Sequence, residues 1–174
     1  MWGVVTWCLR HAQNGEVLRT KDALDILKRP ALTPVSYVVF CRGNQVLLQL
    51  RHGTGYMDGH WSTAAAGHVE AGESASAAAR REAWEELGVA IPEGGLHPLT
   101  AMHRLQGSAL AQEGRVDFFF SCGSWTGEPR TMEPGKSAGL AWFELDDLPE
   151  PIVPHERYVL ERLSSGLPPI VGFG

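Results

Sequence analysis

GHVEAGESASAAARREAWEELGV, residues Gly67 to Val89, crowds Glu82, Glu85 and Glu86 onto what its spacing predicts is one helix, with Glu73 just ahead of it. Ser74 to Leu87 is rich in alanine, a strong helix former, and Gly88 stands where a helix would stop. Ala79, Ala83 and Leu87 recur every four residues and form a narrow, small-residued apolar stripe, so the helix is expected to lie close against a sheet. The three glutamates flank that stripe, because positions i, i+3 and i+4 share a helical face. Like charges at those spacings repel by about 0.2–0.5 kcal/mol per pair. The cluster therefore asks for a cation.

Strand signals surround the helix. Upstream, VSYVVFC (35–41), a Gly43-Asn44 turn and QVLLQLR (45–51) predict a hairpin of two buried strands. HGTGYMDGH (52–60) reads as a loop, and WSTAAAGHVE (61–70) as a short extended run. Downstream, LHPLTAMHRL (96–105), RVDFFFSCGSW (115–125) and AGLAWFEL (138–145) are three further strands, and HERYVLERLSS (155–165) is a closing amphipathic helix. Before the hairpin, VVTWCL (4–9) predicts a strand and KDALDILKR, capped by Thr20 and stopped by Pro30, a short helix. The sum is an α/β chain built on one mixed sheet: an N-terminal extension over 1–30, a single domain over 31–168 and a Pro/Gly-rich tail over 169–174.

A length of 174 residues suffices for one core without disulfides. The net charge of -5 leaves no basic footprint for polymeric nucleic acid or an anionic membrane, so neither is an expected partner. Cys8, Cys41 and Cys122 form no CxxC pair and read as buried free thiols of a reducing compartment. The opening MWGVVTWCLRHA has too short an apolar run for a membrane span and no basic residue ahead of it, so a cytoplasmic protein is expected. A homodimer is compatible with this reading.

Carboxylates on adjacent turns are hard oxygen donors of the kind Mg2+ prefers, with Mn2+ as a substitute, and Mg2+ commonly binds through a few carboxylates plus substrate phosphate. Metal-assisted phosphate chemistry is the reaction class this favours. The plain alternative is a solvated helix face steadied by an Arg81–Glu85 pair.

Spacing decides between them. Gly67, Glu73, Arg81-Glu82, the aliphatic Ala83, Glu85-Glu86, Gly88 and the aliphatic Val89 stand at the fixed gaps of G-x5-E-x7-R-E-U-x-E-E-x-G-U, where U is aliphatic. The segment resembles the signature of the Nudix hydrolases at every fixed position. That resemblance implies a Nudix-type α/β/α sandwich with a central mixed sheet, hydrolysing a nucleoside diphosphate linked to another moiety. It implies Glu82, Glu85 and Glu86 as metal ligands, Glu82 as a candidate for activating water, and Arg81 as the residue that orients the glutamates. Glu73 would hold the loop at the helix start, and Gly67 would serve a turn at the substrate. The family's usual Pro-Gly-Gly is here Ala65-Ala66-Gly67, with the Ala66 carbonyl as a further candidate ligand. WTGEPRTMEPGK (125–136) looks like a stretch of the mutator-type members, which sanitise oxidised guanine nucleotides, and this makes Glu133 another candidate ligand and base. Arg51 resembles a phosphate-binding arginine of the same members. No SQPW-like stretch for NADH and no Pro near 104 or 105 for ADP-ribose is present. A small nucleotide-like diphosphate is the expected partner, with a non-catalytic binding module and a prenyl-diphosphate isomerase as rivals. His52, His60 and His68 fit no metal triad. Trp61, Trp84 and Trp142 read as core or as base-stacking rings, and His155 either opens the last helix or reads a base.

Overall fold

β1 (Ala31–Arg42) and β2 (Gln45–Arg51) form the expected hairpin, with Cys41 opposite Val46 and Arg42 opposite Gln45. Gly43 alone of the two turn residues has positive φ (61°), the conformation a glycine supplies at no steric cost. The computed structural model describes residues 31–105 and 113–174; the strand expected at 4–9 and the helix expected before Pro30 lie outside them.

The extended run after the glycine loop divides into two strands with different partners. β3 (Trp61–Thr63) pairs with β2, whereas β4 (Ala65–His68) pairs with β1, Gly67 opposite Ser36. Helix α1 (Ala75–Leu87) follows, then β5 (His97–Arg104), β6 (Glu113–Cys122), β7 (Ser137–Glu144), helix α2 (Pro154–Leu160) and β8 (Ile170–Phe173). The sheet runs β3-β2-β1-β6-β5-β8, with β4 also on β1 and β7 also on β2. Since β5 and β8 are parallel and the hairpin pairs antiparallel, the sheet is mixed.

Alternation along the central strands feeds two separate cores. Val38, Phe40 and Leu47 pack with Ala79, Ala83 and Leu87 of α1; Val39, Val46 and Leu48 pack with Val159 and Leu160 of α2. Successive side chains point to opposite faces of a strand, so the two helices cover opposite faces and the architecture is an α/β/α sandwich. Small residues bring α1 close: Ala78, Ala79 and Ala83 are fully buried. The Ser74 hydroxyl caps the helix by accepting from the Ala77 N–H at 3.1 Å, and Gly88, at φ 69°, ends it by donating back to the carbonyls of Ala83 and Trp84.

Two ends differ from expectation. The last helix stops at Leu160, after which the N–H groups of Arg162 and Leu163 reach back three residues to Val159 and Leu160 in tighter turns. The segment expected as a tail holds β8, because Val171 finds a buried place and the backbone of 170–173 satisfies the open edge of β5 opposite Ala101–Arg104.

Candidate functional site

Arg81 is the hub of the acid ridge. Its Nε and Nη2 fork onto Glu73 Oε1 and Oε2, both at 3.0 Å, while Nη1 reaches Glu82 Oε1 at 2.6 Å and Glu85 Oε2 at 3.1 Å. Nη2 also donates to the His68 carbonyl at 3.0 Å, tying the helix to β4. Glu73 closes the loop ahead of α1 by accepting from the Glu70 N–H at 3.1 Å, and the Arg81 guanidinium holds its carboxyl below the ordinary range. One arginine thus serves three carboxylates, which is how the chain tolerates their closeness.

Gly67 lies inside β4 rather than at a turn, and the reason for a glycine there is space. A Cβ would fall 1.9 Å from Glu82 Oε1, so the carboxylate rests directly on bare backbone. Burial raises the Glu82 carboxyl above its ordinary range in spite of Arg81.

Among the described residues, Glu86 has no hydrogen bond from a cationic side chain. Its Oε2 accepts from the Ala66 N–H at 2.9 Å, and burial, reinforced by the nearby Glu82 and Glu133, pushes its pKa up to about 8. Glu133 is delivered beside it by the backbone: Met132 N–H donates to the Glu86 carbonyl and Arg130 N–H to that of Leu87, at 2.9 and 3.1 Å, so the loop after β6 is laced to the end of α1. Glu82, Glu85, Glu86, Glu133 and Ala66 line one cavity of about 500 Å³. A hard, all-oxygen donor set in which a buried carboxyl stands among like charges fits a divalent cation. As the side chains lie, no three acidic, histidine or cysteine groups among the described residues converge closely enough to hold an ion; Arg81 and Lys136 engage their oxygens instead.

The other end of the same cavity is a buried polar wall. His155, on α2, has Nδ1 at 3.3 Å from Arg104 Nη1; arginine only donates, so Nδ1 accepts and Nε2 carries the proton toward Tyr37 Oη at 3.2 Å. Burial and neighbouring arginines depress His155 to about 3 and keep it neutral. Arg104 Nε lies 2.8 Å from Asp117 Oδ2, a close charge contact between two buried side chains. Glu156 is fully buried, its Oε2 accepting from both the N–H and the hydroxyl of Thr63, and burial pushes it up to about 7. Parallel bridging of Trp61 and Ile152 aligns α2 with β3 for that contact.

Arg51 lines the cavity, but its Nε donates to the Tyr56 carbonyl at 2.9 Å and Nη2 to Thr54 Oγ1 at 3.1 Å, so it braces the glycine loop. None of the three tryptophans lines the cavity: Trp61 packs edge-on to Phe143, Trp142 stacks on Trp125, and Trp84 is exposed. Among the described histidines, His68 and His155 reach the cavity while His52 and His60 do not. Sequence reasoning pointed to His155 and the VPHE segment (153–156) but assigned no role to Glu156 itself, Asp117 or Arg104. Their signal was a charged residue on a buried stripe: Glu156 between Val153 and Leu160, Arg104 in step with Thr100 and Met102, Asp117 in step with Phe119.

The NUDIX domain family model matches residues 32–163. The NAD-capped RNA hydrolase NudC of Stutzerimonas stutzeri (strain A1501) is 30% identical over 139 residues, or 80% of this chain and 46% of that protein. The chain thus spans about half the length of that relative. A MutT NUDIX hydrolase from Burkholderia pseudomallei superposes with a TM-score of 0.68 at 29% identity, over 76% of this chain and 98% of its own. A MutT protein from Bacillus halodurans gives 0.62 at 23% identity, over 76% and 82%, a likeness of fold alone.

Proposed function

The chain belongs to the NUDIX domain family, and from that premise we propose that it is a Mg2+-dependent hydrolase cleaving the phosphoanhydride of a nucleoside di- or triphosphate derivative by water attack. The observation that carries this reading is that one cavity of about 500 Å³ has two unlike ends. Carboxylates from α1 and the 131–136 loop suit a screened diphosphate, while Tyr37, Glu156 and His155 offer hydrogen bonds and an aromatic edge to a base. A bound divalent ion would supply charge screening and a water of lowered pKa. Within the chain, Glu82 stands ready to take a proton, Arg81 holds Glu82 and Glu85 in place, and Glu73 anchors Arg81. Glu85, Glu86, Glu133 and the Ala66 carbonyl complete the proposed ligand set. Arg51 is kept for the phosphate, since its two observed bonds leave further donors free.

Within nucleotides, the reading leans to nucleoside triphosphates, oxidised purines included, on the resemblance of the Trp125–Glu133 stretch to the mutator-type members, and Glu133 lines the cavity. The working unit is the domain from residue 31 onward, with 1–30 as a separate extension and β8 as part of the unit. No described helix is long and apolar enough to cross a membrane.

A substrate panel with Mg2+, scoring phosphate and diphosphate release, tests this. It should hold nucleoside triphosphates, ADP-ribose and, because of the NudC relative, an NAD-capped RNA. Glu85→Gln and Glu86→Gln should each lose at least about 10²-fold in rate, as for a group acting with a metal. Near-full activity in either would reject the assigned site, and a parent inactive on every compound would favour a binding module.

A further inference from the structure

Lys136 brings an ammonium to the acid end of the cavity. Its Nζ lies 2.9 Å from both Glu133 Oε1 and Oε2, so the two oxygens of the loop glutamate are enclosed by one cation. The pair is exposed, at 61% for the lysine and 40% for the glutamate, and exposed pairs contribute little and are readily exchanged. The lysine backbone, by contrast, is fixed. Its N–H donates to the Glu133 carbonyl and its own carbonyl accepts from the His52 N–H, both at 2.9 Å. Gly53 and Gly135 approach so closely that a Cβ on Gly53 would meet the Gly135 carbonyl oxygen at 2.5 Å, which locks the 131–136 loop against the glycine loop. A fixed Cα with a long flexible stem keeps the ammonium within reach of the cavity rim.

Of the nearby cations, Arg81 is engaged with Glu73, Glu82 and Glu85, while Arg51 is braced in its own loop by Tyr56 and Thr54 with further donors left over. A polyphosphate entering this end meets the carboxylates of Glu70, Glu82, Glu85, Glu86 and Glu133, with Lys136 beside them held only by an exposed pair. We propose that Lys136 is a phosphate-binding residue held in reserve by Glu133: it gives up Glu133 when that carboxylate turns to a divalent ion, and its ammonium then binds an oxygen of the substrate's terminal phosphate. This rests on the hydrolase reading above. It makes Lys136 a competitor of the metal in the free protein and a partner of the substrate in the complex, so its removal has two effects of opposite sign.

The test uses the full chain with Lys136→Met, which keeps the apolar stem, and Lys136→Arg, which keeps the charge. Mn2+ affinity is measured without nucleotide by electron paramagnetic resonance of the free ion, and KM and kcat with Mg2+ on the best nucleotide of the panel. Lys136→Met should bind Mn2+ about two- to fivefold tighter, the size of one exposed ion pair. It should raise KM roughly tenfold or more, the size of a charge-assisted hydrogen bond. Lys136→Arg should recover most of KM. In a Glu133→Gln background the gain in Mn2+ affinity should vanish, because the competition is for Glu133 itself. An active parent with unchanged Mn2+ affinity and KM in Lys136→Met overturns the role of Lys136 and leaves the hydrolase intact. A parent that neither binds Mn2+ nor turns over any nucleotide overturns both.

Discussion

Gly67 has no room for a side chain, and the atom in the way is the Glu82 carboxylate, 1.9 Å from where a Cβ would sit. Gly67→Ala must push that carboxylate off its seat and loosen its contact with Arg81. Its backbone φ is ordinary for any residue, so the cost falls on the site more than on the fold. We expect hydrolysis to fall at least about tenfold, on the scale seen when a catalytic group is misplaced by an ångström, with circular dichroism unchanged; a fully active Gly67→Ala would refute the contact. At the far wall, Glu156 and His155 pull stability in opposite directions. The folded chain keeps His155 neutral down to about 3 against an ordinary 6.5, so acidification below 6.5 favours the unfolded chain, which takes up that proton. Glu156 holds its proton up to about 7 against an ordinary 4.5, so raising pH from 4.5 toward 7 favours the unfolded chain, which releases it. Between 4.5 and 6.5 the slopes oppose. Glu156→Gln removes one of them, and its melting temperature should fall more steeply than the parent's as pH drops through that window; parallel curves would contradict the buried pairing.

At the scale of the element, α1 carries Arg81 and the clustered glutamates, and its ends fix their register. Ser74→Ala removes the cap on Ala77 and should cost about 1 kcal/mol in urea unfolding. Gly88→Ala should cost about 1 kcal/mol or more, since φ is +69° and the Met132 sulfur stands 3.2 Å from the new Cβ. Gly88→Ala should also lower activity further than Ser74→Ala does, because the 130–132 backbone that delivers Glu133 hangs on the carbonyls of Glu86 and Leu87. Equal activity in the two variants would argue that Glu133 is placed by other means. This helix was legible from its residues because each signal is local: a serine cap, an alanine-rich stripe every four residues, a glycine stop. The loop that carries Glu133 was legible only through the resemblance, since its path depends on hydrogen bonds to a helix some 40 residues earlier.

At the scale of the whole molecule, β8 ties the C-terminal segment to the buried wall. Val171 is buried, the Phe173 carbonyl accepts from the Leu105 N–H at 3.0 Å, and the Phe173 ring meets His155 edge-on at 6.3 Å. Ending the chain after Pro169 should therefore lower stability by about 2 kcal/mol or more, the burial of a valine plus lost pairing, and should weaken substrate binding more than Mn2+ binding. A truncated chain with parental melting temperature would show β8 to be dispensable. What the sequence determined alone was whatever repeats at short range: the alternation that makes strands, the period that makes α1, and the box spacing that gathers Arg81, Glu82, Glu85 and Glu86 on one helix. Tertiary structure alone decided the rest. Arg104, Asp117, His155 and Glu156 become a wall only when β5, β6 and α2 meet, Gly67 is required by a side chain fifteen positions away, and Lys136 reaches the cavity in a loop held against the glycine loop. Those are contacts across chain separations that no local pattern encodes, fixed by which faces the sheet buries and which edge it leaves open.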